Sequence, residues 1–133
     1  MEKIFIDTSA LYALVSTEDK YCQTAVSAWE ELVKGHKSLV TNNYVIVECF
    51  TLVQSRLGLN FARQLHQNII PFLEIEWVDE DHHLNSIDRV LAANRRQLSL
   101  VDCSSFETMH RLKIETVFTF DEHYREQGFT VIP

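Results

Sequence analysis

A chain of 133 residues, 46% hydrophobic and 23% charged, fits one domain and can bury a core without disulfides or a structural metal. Its 19 acidic and 12 basic residues give a net charge of −7, which excludes a passive nucleic-acid binder held by counterion release. With 3 Gly and 2 Pro no long linker is expected, and no apolar run approaches ~18 residues, so neither a membrane span nor a secretory leader is expected and the chain reads as cytoplasmic.

Lys3 to Asp7, "KIFID", reads as a short strand covered on both faces, because Ile4, Phe5 and Ile6 are apolar in succession. Asp7-Thr8-Ser9 is a group of helix-capping residues, and "ALYALV" begins a helix. A second helix is predicted from Lys20 to Lys34, with Gly35 as its C-terminal cap. Ser38 to Asn42 is a second buried strand, leading into a helix that carries Glu48 and closes at Gly58. "FARQLHQNIIPFL" is a further amphipathic segment, and Glu74 to Val78 alternates like a strand nearer the sheet edge. A long helix is expected from Asp79 to Gln97, with Leu84, Ile87, Val90, Leu91 and Ala93 as its apolar face. "SLVDCSSFETMHRL" opens another helix around Asp102, Thr116 to Phe120 is a strand ended by Asp121, and Phe129 to Ile132 is the last strand. Strands alternating with helices in this way describe an α/β domain with a mainly parallel sheet.

In such sheets ligands bind beyond the carboxyl ends of the strands, where the strand order reverses. Asp7 and Asp121 each stand just past a buried strand, Asp102 starts the helix before the fourth strand, and Glu48 lies within the helix after the second. Each Asp also has a purely structural role open to it: Asp7 as a helix cap, Asp102 as the partner of Ser99 in a capping box, and Asp121 as a turn residue. Glu48 is the hardest to explain that way, since Val45, Ile46, Val47, Cys49, Phe50, Leu52 and Val53 surround it. Carboxylates brought together raise one another's pKa, and hard divalent cations resolve the conflict while reversing the sign of the local potential. With phosphate oxygens completing the metal shell, the implied chemistry is phosphodiester hydrolysis.

"FIDTSAL", the lone Glu48, "SLVDCSSF" and "FTFDEHY" followed by "GF" together resemble the PIN-domain nucleases, particularly the small VapC-type toxin ribonucleases. The resemblance runs over nearly the whole chain and implies a single PIN-like domain over residues 1–133. Its fold would be a three-layer α/β one, with a mainly parallel five-stranded sheet of order 3-2-1-4-5 flanked by helices. It further implies a Mg²⁺ or Mn²⁺ site and endonucleolytic cleavage of RNA. By position, Asp7 and Asp102 are the first candidates for direct metal ligands, with Glu48 and Asp121 next. Ser9, or secondarily Thr8, would support Asp7 or a metal-bound water through its hydroxyl. A toxin of this kind is expected to form a homodimer and to meet an antitoxin that brings basic groups to the acidic pocket. The last motif has Tyr124 where Phe is frequent, a change expected to affect local packing alone.

Other features carry less. Cys22, Cys49 and Cys103 form no framework and read as buried, reduced thiols. The six histidines show no zinc spacing, so no histidine metal site is expected, and His123 reads as an exposed loop residue within reach of a substrate phosphate. Arg89, Arg95 and Arg96 read as a solvated helix face that could approach an RNA backbone. Tyr12, Trp29, Tyr44 and Phe50 are candidates for an apolar partner groove, with core or dimer contacts preferred. Three alternatives stand beside the toxin reading. They are a PIN-type RNA-processing nuclease outside a toxin–antitoxin pair, a non-catalytic PIN-like binding module, and a phosphatase with an aspartyl nucleophile. The last is weakened by Ser9, where a second Asp belongs in that pattern.

Overall fold

The computed structural model describes residues 1–133. Its first strand, β1 (Lys3–Ile6), buries Ile4, Phe5 and Ile6 together. That pattern belongs to a strand with helices on both faces. The chain continues through α1 (Thr8–Val15), α2 (Cys22–Lys34), β2 (Ser38–Asn42) and α3 (Asn43–Arg56). There follow α4 (Leu59–Gln64), a π-helical turn (Leu65–Ile69), a 3₁₀ turn (Ile70–Phe72) and β3 (Glu74–Glu76). The remainder is α5 (Glu80–Ala93), α6 (Leu100–Leu112), β4 (Thr116–Phe118), α7 (His123–Glu126) and β5 (Thr130–Ile132). All four strand pairings are parallel, in the order β3-β2-β1-β4-β5, as the resemblance implied. One core cluster of 26 buried residues links the sheet to helices on its two faces, and no helix is long and apolar enough to cross a membrane.

The topology determines where a site can form. From β1 the chain builds outward through β2 to β3, then crosses back to place β4 on the other side of β1. The order therefore reverses between β1 and β4, and the segments leaving those strands flank a crevice. Asp7 N–H is bonded to the Phe118 carbonyl at 3.1 Å, which locks the two strand ends together.

Several boundaries differ from those expected. Helix α2 starts at Cys22, because Asp19 Oδ1 accepts the Tyr21 N–H at 2.8 Å and holds the preceding residues in a turn. Gly35 ends α2 with φ −75°, and the left-handed residue there is His36 with φ 54°. Strand β4 stops at Phe118, two residues early, since the Phe120 N–H turns aside to Ser9 Oγ at 3.0 Å. Helix α5 stops at Ala93, where Asn94 takes the left-handed conformation and returns its N–H to the Val90 carbonyl.

The expected apolar face of α5 is the larger correction. Leu84 and Leu91 are 54% and 70% exposed, whereas His82 and Ser86 are the buried residues of that helix. His82 faces α6 through a polar seam, its Nε2 lying 3.1 Å from the Ser104 carbonyl oxygen and 3.2 Å from Thr108 Oγ1, while Ser86 Oγ donates to the His82 carbonyl of its own helix at 2.8 Å. Asn42 closes the seam with a bond to Thr108 Oγ1 at 3.0 Å. Val90 of the expected face does pack against the core, but the fully buried positions of α5 are polar ones that find hydrogen-bond partners.

Candidate active site

The crevice past β1 and β4 has a volume of about 360 Å³ and is lined by Asp7, Glu48, Asp102 and Asp121, together with Thr8 and Ser9. Residues from β1–α1, α3, α6 and the β4–α7 turn thus meet at one place. Asp7 caps α1 while lying only 4% exposed. Its Oδ2 accepts hydrogen bonds from Ser9 Oγ at 2.9 Å and Thr119 Oγ1 at 2.8 Å, and its Oδ1 accepts one from the Tyr124 hydroxyl at 2.8 Å. All these donors are neutral.

Asp102 occupies the third position of α6 and does two things at once. It completes the capping box, with its Oδ2 accepting the Ser99 N–H at 3.1 Å and its own N–H donating to Ser99 Oγ at 3.0 Å. It also faces the crevice, where burial above all, then the charges of Asp7 and Asp121, push its carboxyl up to about 6 against the pull of the Ser99 N–H. Asp121 is held by its N–H to Thr119 Oγ1 at 3.0 Å and by the His123 N–H to its Oδ1 at 2.9 Å. Glu48 is half-buried and shares the crevice with Asp7. Its helix is anchored by Val45, Cys49 and Val53, all fully buried, while Val47 and Phe50 point outward at 64% and 36% exposure. The apolar run around Glu48 is therefore packed on one side only. The Cys49 thiol behind it is pushed up to about 12, first by burial and then by the charges of Asp7 and Glu48.

None of the four acids forms an ion pair with lysine or arginine. The nearest candidate counter-charge is His123, whose Nδ1 lies 3.3 Å from Asp121 Oδ1 and 3.8 Å from Asp102 Oδ2. A histidine in an exposed loop was expected. Instead the side chain is 22% exposed, its Nδ1 is buried without a hydrogen-bond partner, and with Asp102 and Asp121 it offers donor atoms within 4.8 Å of one another. Thr8 Oγ1 is a second buried polar atom in the crevice without a partner. The tight group is thus Asp102, Asp121 and His123, with Asp7, Glu48 and the Thr8 hydroxyl lining the same crevice.

Tyr124 corrects the expectation that its difference from Phe concerned packing alone. It is fully buried, its phenol is pushed well above the ordinary value by burial and then by Asp7, and its hydroxyl orients the most buried acid of the cluster. The other basic and aromatic candidates disperse. Arg89 and Arg111 pair with Glu107 at 2.8 Å each and Arg95 pairs with Glu126 at 3.6 Å, so these guanidiniums lie outside the crevice. Tyr12 lines the crevice, Trp29 is in the core, Tyr44 pairs with His83, and Phe50 belongs to a separate groove with Leu59 and His66. All three cysteines are free, with Cys22 only half-buried.

Comparison with known proteins adds relatives of the same build. Over 130 residues the chain is 27% identical to the 23S rRNA-specific endonuclease VapC20 of Mycobacterium tuberculosis, covering 97% of each chain. The crystal structure of that protein, described as a sarcin-ricin loop cleaving toxin, superposes with a TM-score of 0.83 at 26% identity over 96% of each chain. The VapBC2 complex of Rickettsia felis, crystallised with promoter DNA, shares the fold alone, at 10% identity and a TM-score of 0.72 over 98% of this chain and 97% of that one. The family model of the PIN domain matches residues 4–129, so this chain belongs to the PIN domain family.

Proposed function

We propose that the protein is a divalent-metal-dependent endoribonuclease acting on single-stranded RNA segments, and that it is the toxin of a toxin–antitoxin pair. The observation that carries this reading is the convergence of Asp7, Glu48, Asp102 and Asp121 on one crevice without a lysine or arginine to neutralise any of them. Those four residues would hold Mg²⁺ or Mn²⁺, with Ser9 behind Asp7. When bound, the ion neutralises the crowded acids, lowers the pKa of a water and offsets charge on the scissile phosphate.

The protein's own groups prepare that site. Ser9, Thr119 and Tyr124 hold Asp7 in one rotamer, and the capping box ties Asp102 to the first turn of α6. The unpartnered Thr8 hydroxyl is free to bond a water. The relative named for 23S rRNA cleavage and as a sarcin-ricin loop cleaving toxin supports RNA as the substrate and an antitoxin as the partner. A basic antitoxin segment suits an acidic crevice. The exposed Leu84 and Leu91 on α5 supply an apolar stripe for a homodimer, and a ribosomal RNA target would set the protein in the cytoplasm.

The test is cleavage of a panel of structured RNAs, one carrying the sarcin-ricin loop, with Mg²⁺, with Mn²⁺ and after exhaustive chelation. Cleavage that stops on chelation and returns with either ion is expected. Equal cleavage after chelation, or none under any condition, would remove this reading. A finer effect is expected of Tyr124→Phe, which keeps the ring and deletes the bond to Asp7. It should weaken Mn²⁺ affinity and kcat roughly ten-fold while leaving KM for RNA within two-fold, as loss of an orienting partner does. Titration calorimetry and single-turnover kinetics measure the two quantities, and a change confined to KM would contradict the orienting role.

A further inference from the structure

We infer that the crevice holds single-stranded RNA through two cation–aromatic pairs, with Arg56 beside Tyr12 taking a phosphate and the Tyr21–Phe120 stack, attended by Lys20, taking a nucleobase. This rests on the reading of the site as a nuclease and names the groups that seat its substrate.

The acids cannot seat it alone. A polyanion approaching a crevice lined by five carboxylates, Asp19 included, on a chain of net charge −7 needs positive contacts beside the metal. Arg56, at the end of α3, is the one lysine or arginine among the residues lining the crevice. Its guanidinium carbon stands 5.7 Å from the centroid of the Tyr12 ring, which also lines the crevice. It is exposed and engages no carboxylate, so its charge is available. The ring beneath holds it in place without neutralising it.

The second pair comes from the α1–α2 connection and the turn after β4. Tyr21 and Phe120 stack with centroids 4.4 Å apart and planes 8° from parallel. Both border the crevice that contains Asp7 and Asp121. Each is fixed by its backbone: Tyr21 through the Asp19 carboxylate, and Phe120 through Ser9 Oγ, the hydroxyl that also donates to Asp7. Tyr21 remains 39% exposed, and the Lys20 ammonium lies 5.0 Å from its ring centroid. A lysine over an open ring is readily displaced by a base and then reaches the adjoining phosphate. Flat aromatic faces interleaved with unpaired cations suit nucleic acid, since stacking tolerates any base.

The experiment uses the full chain carrying Asp7→Asn, to prevent cleavage, and a short single-stranded RNA with one 2-aminopurine base. Binding should quench the 2-aminopurine fluorescence by stacking. Adding Tyr21→Ala should abolish the quench and weaken affinity roughly ten-fold, while Tyr21→Trp should retain both. Adding Arg56→Met should weaken affinity and lower the slope of log affinity against log salt by about one. Unchanged quench and affinity in Tyr21→Ala and Arg56→Met would overturn the clamp. So would a basic oligopeptide whose binding falls in Tyr21→Ala while RNA binding does not, because that assigns the aromatics to a protein partner. The two readings separate cleanly. Normal cleavage by Tyr21→Ala and Arg56→Met made in the otherwise native chain removes the clamp and leaves the nuclease. RNA binding with a Tyr21-dependent quench, but no cleavage by the native chain, keeps the clamp and removes the nuclease.

Discussion

Asp7→Asn is expected to lower RNA cleavage by about 10³-fold or more and yet leave the chain folded. The loss follows from position: Asp7 stands at the end of β1 where the strand order reverses, and the three other acids converge on the same crevice. The tolerance follows from its partners, which are hydroxyls of Ser9, Thr119 and Tyr124. A hydroxyl that donates to a carboxylate can accept from an amide instead, and Asn caps a helix as well as Asp does. Removing one of four crowded charges should also relieve repulsion, so the metal-free variant should melt no lower than the parent. Single-turnover cleavage with saturating Mn²⁺ and thermal denaturation in chelator check the two halves. A rate within ten-fold of the parent would take Asp7 out of the site, and a collapsed melt would make its role structural.

Asp102→Asn should stabilise the metal-free protein at neutral pH. The wild-type carboxyl is raised from 3.8 to about 6, chiefly by burial, with Asp7 and Asp121 adding to it and the Ser99 N–H opposing it. A folded-state pKa above the unfolded value means that the native chain holds the extra proton between about pH 4 and pH 6. Stability therefore falls as pH rises through that window, by about 2–3 kcal/mol once it is complete. The groups facing Asp102 are Asp7, Asp121 and the His123 imidazole 3.8 Å away. Asparagine keeps the acceptor for Ser99 and carries no charge, so its stability should vary less across that window and exceed wild type at pH 7.5 by about 2 kcal/mol. Mn²⁺ should then stabilise the wild type and leave the variant nearly unmoved. Urea denaturation in chelator at pH 4, 5, 6 and 7.5 measures this, and equal pH slopes for the two proteins would refute it.

What the sequence made legible follows physical lines. The first strand was readable because Ile4, Phe5 and Ile6 in succession leave little alternative, the three aspartates because each stands at a strand or helix boundary, and Glu48 because apolar residues flank it inside α3. Strand order came from the resemblance, since local pattern cannot say which parallel strands are neighbours. Tyr124 was misread because a ring for a ring looks like a packing matter, and the consequence lies in one oxygen 2.8 Å from Asp7. His123 was misread because a turn residue after an acid looks solvated, whereas α7 folds it back between Asp121 and Asp102. Helix α5 was misread because apolar periodicity was taken for the buried face, while the neighbouring helix offers His82 hydrogen-bond partners and Ser86 bonds back to the His82 carbonyl. Arg56 escaped notice because its relation to the crevice depends on the path of α3 beyond Glu48.

The three hydroxyls on Asp7 reach it from very different places in the chain: Ser9 is its near neighbour, while Thr119 and Tyr124 lie 112 and 117 residues away. The N-terminal half alone can present Asp7 and Glu48, but nothing there completes their surroundings. A polypeptide cut before α7 would keep four of its five strands and lose Tyr124, the one donor to Asp7 Oδ1 among the three hydroxyls. Folding and arming are thus coupled, because the first acid gains its full set of donors only when the last helix is in place.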